Sequence, residues 1–245
     1  MIKVFINGIC GKMGSEIAKL CARDTDIELI GGLDRQFNCS LPYTVFNDIH
    51  ALPESPNVII DFSAPEATLS ILPYCLSHHI PIVIATTGFT REQQNEIIDA
   101  SKQIPIFQSS NMSYEITLVS QIIAKLSQKL PEAEIEIVET HHNQKKDSPS
   151  GTALLLANSI NTNGSYIYKF NRTQKKEKRN QKEIGFSSIR GGNIVGEHSV
   201  LFFSPNETLE IKHTAHSRTV FAEGAIKVAK FLVNQKLGYY TMKDL

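Results

Sequence analysis

The twenty residues Ile2–Cys21, IKVFINGICGKMGSEIAKLC, read as a short apolar strand, a glycine turn and a helix that sets Ile17, Ala18, Leu20 and Cys21 on one face. Glycine permits the tight turn and lets backbone approach a pyrophosphate, which then rests against the positive end of the helix dipole. The spacing, Gly8, Gly11 and Gly14, is G-x-x-G-x-x-G rather than G-x-G-x-x-G. By itself such a turn is weak evidence, because any strand-to-helix connection can carry glycines.

The next stretch of chain raises its weight. A second apolar run, Ile27–Leu33, ends at Asp34, twenty positions after Gly14, where a carboxylate bonds adenosine ribose hydroxyls. Arg35 comes next and suits a 2'-phosphate, so the Asp34-Arg35 pair argues for tolerance of both NADH and NADPH. Strands are expected at 58–61, 80–85 and 104–107, with helices from Pro65 and Arg91 between them. Helices alternating with short apolar strands make a parallel, doubly wound, Rossmann-like sheet, an α/β fold. In such sheets ligands gather beyond the carboxyl ends of the strands. There the chain carries Phe62-Ser63, Thr86-Thr87-Gly88 and Ser109-Ser110-Asn111-Met112. Each is compatible with a plain turn; together they suggest a nicotinamide and ribose subsite.

The second half changes rhythm. After an amphipathic helix over 115–130 come a strand over 134–140, a helix over 152–160, and strand-like runs at 165–170, 184–190, 194–203 and 208–213. This half reads as an α+β domain with a mixed or largely antiparallel sheet, one face of which is open to subunit packing. The final helical pattern, with Phe221, Ala222, Ala225, Ile226, Ala229 and Leu232, is expected to return to the first domain. The expected division is 1–112 with 219–245 for the dinucleotide, and 113–218 for substrate and oligomerisation. The six basic residues between Arg172 and Lys182 read as a solvated loop.

Composition narrows the function. The 245 residues are 41% hydrophobic, enough for real cores, and 25 basic residues balance 25 acidic ones. No global field recruits nucleic acid or an anionic membrane. No apolar run approaches membrane-spanning length and no leader pattern precedes the first strand, so the expected location is cytoplasmic. Cys10, Cys21, Cys39 and Cys75 form no C-x-x-C pair and no zinc spacing with histidine, so free thiols and no metal are expected.

The densest chemistry lies at Glu139–Ala153, ETHHNQKKDSPSGTA. Imidazole titrates near neutrality, lysine is a mobile cation, and Ser150-Gly151-Thr152 offers hydroxyls and backbone amides to a carboxylate. Strand alternation sends His141 and His142 to opposite faces, which argues against a shared metal ion.

On these motifs the chain resembles the dihydrodipicolinate reductase (4-hydroxy-tetrahydrodipicolinate reductase) family. The matching segments are Gly8–Gly14, Asp61-Phe62-Ser63 with Pro65-Glu66, Ala85–Phe89, Ser110–Ser113, His141-His142 with Lys145 and 147–153, Arg190 with Gly192, 195–198, and His213 with Ser217-Arg218. They are collinear over nearly the whole chain. The resemblance implies reduction of a cyclic dicarboxylate by NADH or NADPH in lysine and diaminopimelate biosynthesis. It implies His141 as general acid/base and Lys145 as partner proton donor, with His142 touching substrate and Ser150, Gly151 and Thr152 holding a carboxylate. The cofactor is expected at Gly8, Ile9, Cys10, Gly11, Lys12, Met13, Asp34, Arg35, Ala85, Thr86, Thr87, Ser109, Ser110, Asn111 and Met112. A homotetramer built through the second domain's sheets is implied as well. Asn143 and Gln144 stand where many members carry Arg and His, leaving this loop less positive. Two other readings fit parts of the pattern: an aspartate- or sugar-dehydrogenase type of oxidoreductase, and a non-catalytic nucleotide sensor.

Overall fold

The computed structural model describes residues 1–35, 42–172 and 177–245. Contacts divide it into two compact units, Met1–Met112 with Thr219–Leu245, and Ser113–Arg218.

The first unit carries strands β1 (Ile2–Asn7), β2 (Ile27–Leu33), β3 (Val45–Phe46), β4 (Val58–Asp61), β5 (Ile82–Ile84) and β6 (Pro105–Gln108). Helices α1 (Lys12–Cys21), α2 (Pro65–Ser77) and α3 (Arg91–Ala100) alternate with them. With β12 (Gly238–Tyr240), a strand the sequence did not signal, they form a seven-stranded sheet in the order β12-β6-β5-β4-β1-β2-β3. Every pairing in it is parallel. The central strands are buried on both faces, which is why they read as continuous apolar runs such as Val58-Ile59-Ile60. Helix α6 (Thr219–Leu232) packs in this unit through Ala222, Ala225, Ile226 and Ala229.

The glycine turn is held by space as much as by conformation. Gly8 sits at φ +83°, and a Cβ there would lie 2.5 Å from the Phe62 carbonyl oxygen. A Cβ on Gly14 would lie 2.1 Å from the carbonyl oxygen of Gly8, so α1 could not start this close to β1.

Beneath that turn, Asp61 at the end of β4 is fully buried and accepts four hydrogen bonds. Asn7 Nδ2 and Ser63 Oγ donate to Oδ1 at 2.7 and 2.5 Å, and Thr68 Oγ1 and Thr86 Oγ1 donate to Oδ2 at 2.6 and 2.8 Å. Burial pushes the Asp61 carboxyl above its ordinary range, and the four donors work against that shift. One carboxylate thus ties the exits of β1, β4 and β5 to α2.

The second unit has helices α4 (Tyr114–Lys129) and α5 (Gly151–Ile160) and strands β7 (Glu134–His141), β8 (Ile167–Lys169), β9 (Glu183–Arg190), β10 (Gly196–Phe203) and β11 (Thr208–Ala215). The sheet order is β11-β10-β7-β9-β8. It is mixed: β7 runs antiparallel to β10 and parallel to β9. Its core joins Ile123, Leu156 and Ala157 to Ile135, Ile137, Ile184, Val200 and Phe202.

Two expectations are corrected. The basic segment is not simply solvated: Arg172 pairs with Glu183 at 2.9 Å and Glu136 at 3.1 Å. Arg179 pairs with Glu136 at 3.2 Å and donates to the carbonyls of Ile135 and Glu183. Arg172, Lys178 and Lys182 stay exposed and Arg179 is half-buried, but both arginines bond to glutamates of β7 or β9, because a partly covered carboxylate needs a partner. Lys175 and Lys176 lie outside the described residues. The four cysteines also differ: Cys21 and Cys75 are free and buried, but Cys10 is disulfide-bonded. Cys39 lies outside the described residues.

Asp61→Asn leaves one carboxamide oxygen for four donors. We expect it to lower stability by about 1–3 kcal/mol, the usual cost of leaving buried polar groups unpaired. A lower midpoint in urea unfolding of the full chain checks this.

Candidate active site

In the first unit, Asn7, Gly8, Gly11, Asp34, Arg35 and Ser63 line a cavity of 400 Å³ at the carboxyl ends of β1, β2 and β4. Gly11 precedes α1 and has no side chain with which to cap it, so the helix start is left to bind an anion through backbone. Asp34 Oδ2 accepts the Cys10 amide at 2.9 Å, which fixes the carboxylate beside the turn. Arg35 is exposed next to it. A glycine cradle, a helix start and a placed carboxylate fit a dinucleotide's pyrophosphate and ribose.

The other expected cofactor residues divide by burial. Lys12, Thr87 and Ser110 are exposed; Met13, Ala85 and Ser109 are half-buried. Ile9, Thr86, Asn111 and Met112 are buried. Thr86 spends its hydroxyl on Asp61 and on the Ser63 amide, which donates to it at 2.9 Å. Ser109 Oγ donates to the Asn111 carbonyl at 2.6 Å. Asn47 and Ser70 line the same cavity and carried no sequence signal.

In the second unit the register of the sheet builds the site. Ile135 and Ile137 of β7 stand beside Ile184 and Phe186 of β9 and beside Phe202 and Val200 of β10. Two residues further along the same face, Glu139 stands beside Ser188 and His198, and His141 beside Arg190. The helix-covered face therefore turns from apolar to ionisable at one row, because every second residue of a strand shares a face. Across β11 that row ends at His213, opposite His198.

Glu139 is 1% exposed, and each of its oxygens meets several donors. Arg190 grips it with Nη1 to Oε2 at 2.8 Å and Nη2 to Oε1 at 2.7 Å. The Ser150 amide reaches Oε1 at 3.2 Å, and His141 Nδ1 lies 2.5 Å from Oε2. Burial alone would raise the Glu139 carboxyl, but hydrogen bonds from Arg190, Ser188 and His141 outweigh it and hold it at about 2. Burial lowers the His141 imidazole; Glu139 opposes that shift, while Lys145 and Arg190 add to it. His198, whose ring meets His141 edge-on at 5.1 Å, is pushed down to about 3 by burial and is neutral.

Lys145 lies on the loop after β7, with Nζ 2.8 Å from Asp147 and its side chain mostly covered. His142 is half-buried, its Nδ1 accepting the Gln144 amide at 3.2 Å. Ser150 caps α5, its Oγ accepting the Ala153 amide at 3.1 Å and standing 2.9 Å from His198 Nε2. Its hydroxyl is thus committed and buried, whereas Gly151 is exposed and Thr152 half-buried at the helix start. Glu139, Arg190 and His198 join the site although no role was expected of them. The signal for Glu139 was present as the i−2 position of a strand ending in histidine; that for Arg190 and His198 lay in cross-strand register. Among the described residues no group of His, Cys, Asp and Glu is placed to hold a metal ion, and no helix is long and apolar enough to cross a membrane.

The family model described as "Dihydrodipicolinate reductase, N-terminus" matches residues 2–112, and that described as "Dihydrodipicolinate reductase, C-terminus" matches residues 115–245. The chain belongs to the dihydrodipicolinate reductase family. The 4-hydroxy-tetrahydrodipicolinate reductase of Caldanaerobacter subterraneus subsp. tengcongensis is 45% identical over 100% of this chain and 98% of that protein. The one from Clostridium tetani is 44% identical over 99% and 96%. The solved dihydrodipicolinate reductase of Paenisporosarcina sp. TG-14, with dipicolinate bound, superposes with a TM-score of 0.82 at 25% identity and full coverage of both chains. The protein is accordingly an oxidoreductase of lysine and diaminopimelate biosynthesis that uses NADH or NADPH to reduce 4-hydroxy-tetrahydrodipicolinate. These matches favour neither an unrelated dehydrogenase nor a non-catalytic sensor.

Because the Glu139 carboxyl is lower in the folded chain than in the unfolded one, its contribution to stability is full above pH 4.5 and is lost as pH falls toward 2. That contribution amounts to about 3.5 kcal/mol at most, at ~1.4 kcal/mol per pKa unit. Urea unfolding between pH 5 and pH 2 should show the loss, and Glu139→Gln should flatten that part of the pH dependence.

Proposed function

We propose that His141 is the acid–base residue and Lys145 its partner in the reduction, with the dinucleotide held by the first unit's cavity and the substrate by the second unit's ionisable row. The observation that carries this is the ending of β7: a buried imidazole hydrogen-bonded to a buried carboxylate, with a lysine four residues on. The nicotinamide, when bound, supplies the hydride.

Loss of the ring hydroxyl as water gives a conjugated imine, and hydride added conjugate to it leaves an enamine that must gain a proton at carbon. His141 delivers that proton, and a positioned acid of this kind contributes on the order of a hundredfold to ten-thousandfold. Lys145, as a cation beside the dianionic ring, favours binding and offsets charge as it develops. A substrate carboxylate is received by the exposed start of α5, where the Gly151 and Thr152 amides open the helix; Ser150 shapes that start from beneath, and His142 contacts the substrate. The relative in Paenisporosarcina carries dipicolinate, a planar dicarboxylate, which supports a small cyclic dicarboxylate here. Gly8 to Met13, Asp34 and Arg35 hold the pyrophosphate and ribose, of which Gly8, Gly11, Asp34 and Arg35 line the first unit's cavity, and Ala85–Thr87 with Ser109–Met112 complete the cofactor site. The Asp34-Arg35 pair suits both NADH and NADPH.

Assembly as a cytoplasmic homotetramer through the open face of the second unit's sheet completes this reading. That face bears Ile189 and Phe203, 51% and 36% exposed, amid charged residues, surface that a second copy would cover.

Coupling a dihydrodipicolinate synthase to the protein and following nicotinamide absorbance tests the reaction; no oxidation above background with either cofactor would refute it. In the same assay His141→Gln should reduce turnover on the order of a hundredfold or more. Lys145→Ala should also reduce turnover while leaving cofactor affinity, measured by fluorescence titration, within about twofold; a parallel loss of cofactor binding would place the lysine in the wrong site.

A further inference from the structure

We propose that Glu139, gripped by the fork of Arg190, is a positioning residue that fixes His141 as the Nδ1–H tautomer and so makes Nε2 the atom through which the imidazole passes its proton. This rests on the reading of His141 as the acid–base group and names how that group is set.

Donors and acceptors decide the tautomer. A carboxylate only accepts. Oε1 takes Arg190 Nη2 and the Ser150 amide, and Oε2 takes Arg190 Nη1 and lies 2.5 Å from His141 Nδ1. Nδ1 must therefore carry its hydrogen toward Glu139, which leaves the lone pair of the neutral ring on Nε2. The i, i+2 spacing on β7 gives the pair a common face, and Arg190 holds the carboxylate from β9 while donating to the Asp147 carbonyl at 2.8 Å. Arginine suits this better than lysine, since its planar fork occupies both oxygens at once and fixes the plane of the carboxylate. Were Glu139 free to rotate, the imidazole could flip and present either nitrogen.

The charge around the imidazole explains why a carboxylate is needed there. Arg190 from β9 and Lys145 from the following loop are cations that oppose an imidazolium. Asp147 is paired with Lys145, and His198 from β10 is neutral, with His213 of β11 beyond it. The start of α5 contributes Ser150, which carries no charge. Glu139 is thus the anion in contact with the ring. It stabilises the imidazolium that must form at Nε2 before a proton can go to the substrate carbon; after delivery the ring keeps its Nδ1 hydrogen and regains the other from solvent.

Long-range 1H–15N correlation spectra of histidine-labelled protein read the tautomer directly, His141 being assigned by its absence from His141→Gln. Neutral His141 is expected as Nδ1–H; Nε2–H would overturn the proposal. In the coupled assay, Glu139→Gln should cut kcat by about tenfold or more with little change in the KM for cofactor, and move the alkaline limb of the kcat profile to lower pH by about one unit or more, the usual effect of removing an adjacent opposite charge. Glu139→Asp, which keeps the charge, should recover the limb in part. Glu139→Gln combined with Arg190→Gln leaves no guanidinium without its carboxylate and, if the single variant folds poorly, should move the limb in the same direction by a smaller amount, because the loss of Arg190 also removes a cation that opposes the imidazolium. Wild-type turnover with an unmoved limb in Glu139→Gln and in the double variant would overturn the positioning role. Absence of wild-type turnover would instead refute the functional reading, while the tautomer spectrum still decides the pair.

Discussion

The carboxylate of Glu139 is the constraint on which the second unit's chemistry depends. It is buried, ionised and surrounded by donors from three elements: the guanidinium of β9, the imidazole of its own strand and the first amide of the turn into α5. A charge taken out of water at this depth is tolerable only when hydrogen bonds replace its hydration. Satisfying it fixes the relative placement of His141, Arg190 and Ser150, and Arg190 carries the constraint on to the loop at Asp147.

Asp61 plays the corresponding part in the first unit. Its four donors come from β1, the turn after β4, the helix α2 and the exit of β5. They tie together those strand ends, which face the nucleotide in a doubly wound sheet. Each of the two carboxylates converts strand register into a fixed arrangement of backbone amides and ring nitrogens, which is what binding a dinucleotide and moving a proton require.

The family assignment and the geometry speak to different questions. Membership of the dihydrodipicolinate reductases says which reaction is performed and with which class of reductant. The geometry says how protein groups are disposed to serve it. It shows Ser150 and Thr86, both expected to touch ligands, buried with their hydroxyls hydrogen-bonded within the protein. It also shows two arginines of the basic segment bound to strand glutamates, where composition alone suggested a solvated loop.

Much was legible in the sequence, for local reasons. The strand, glycine turn and helix of Ile2–Cys21 follow from apolar periodicity and from Gly8 and Gly14, where a side chain would collide with backbone. The alternation of strands and helices dictates the parallel sheet, and the alternation Glu134–His141 places His141 on the covered face, since both periods are properties of a few consecutive residues. β12 escaped because three residues, Gly238–Tyr240, are too few to show a period. What no local pattern holds is cross-strand register: that Arg190 and His198 flank His141 and Glu139 is decided by how β9 and β10 pair with β7. His141, Lys145 and the start of α5 thus lie within one local stretch of the chain, but the hydrogen bonds that surround Glu139 and His141 arise only when strands distant in sequence bring one buried carboxylate its donors.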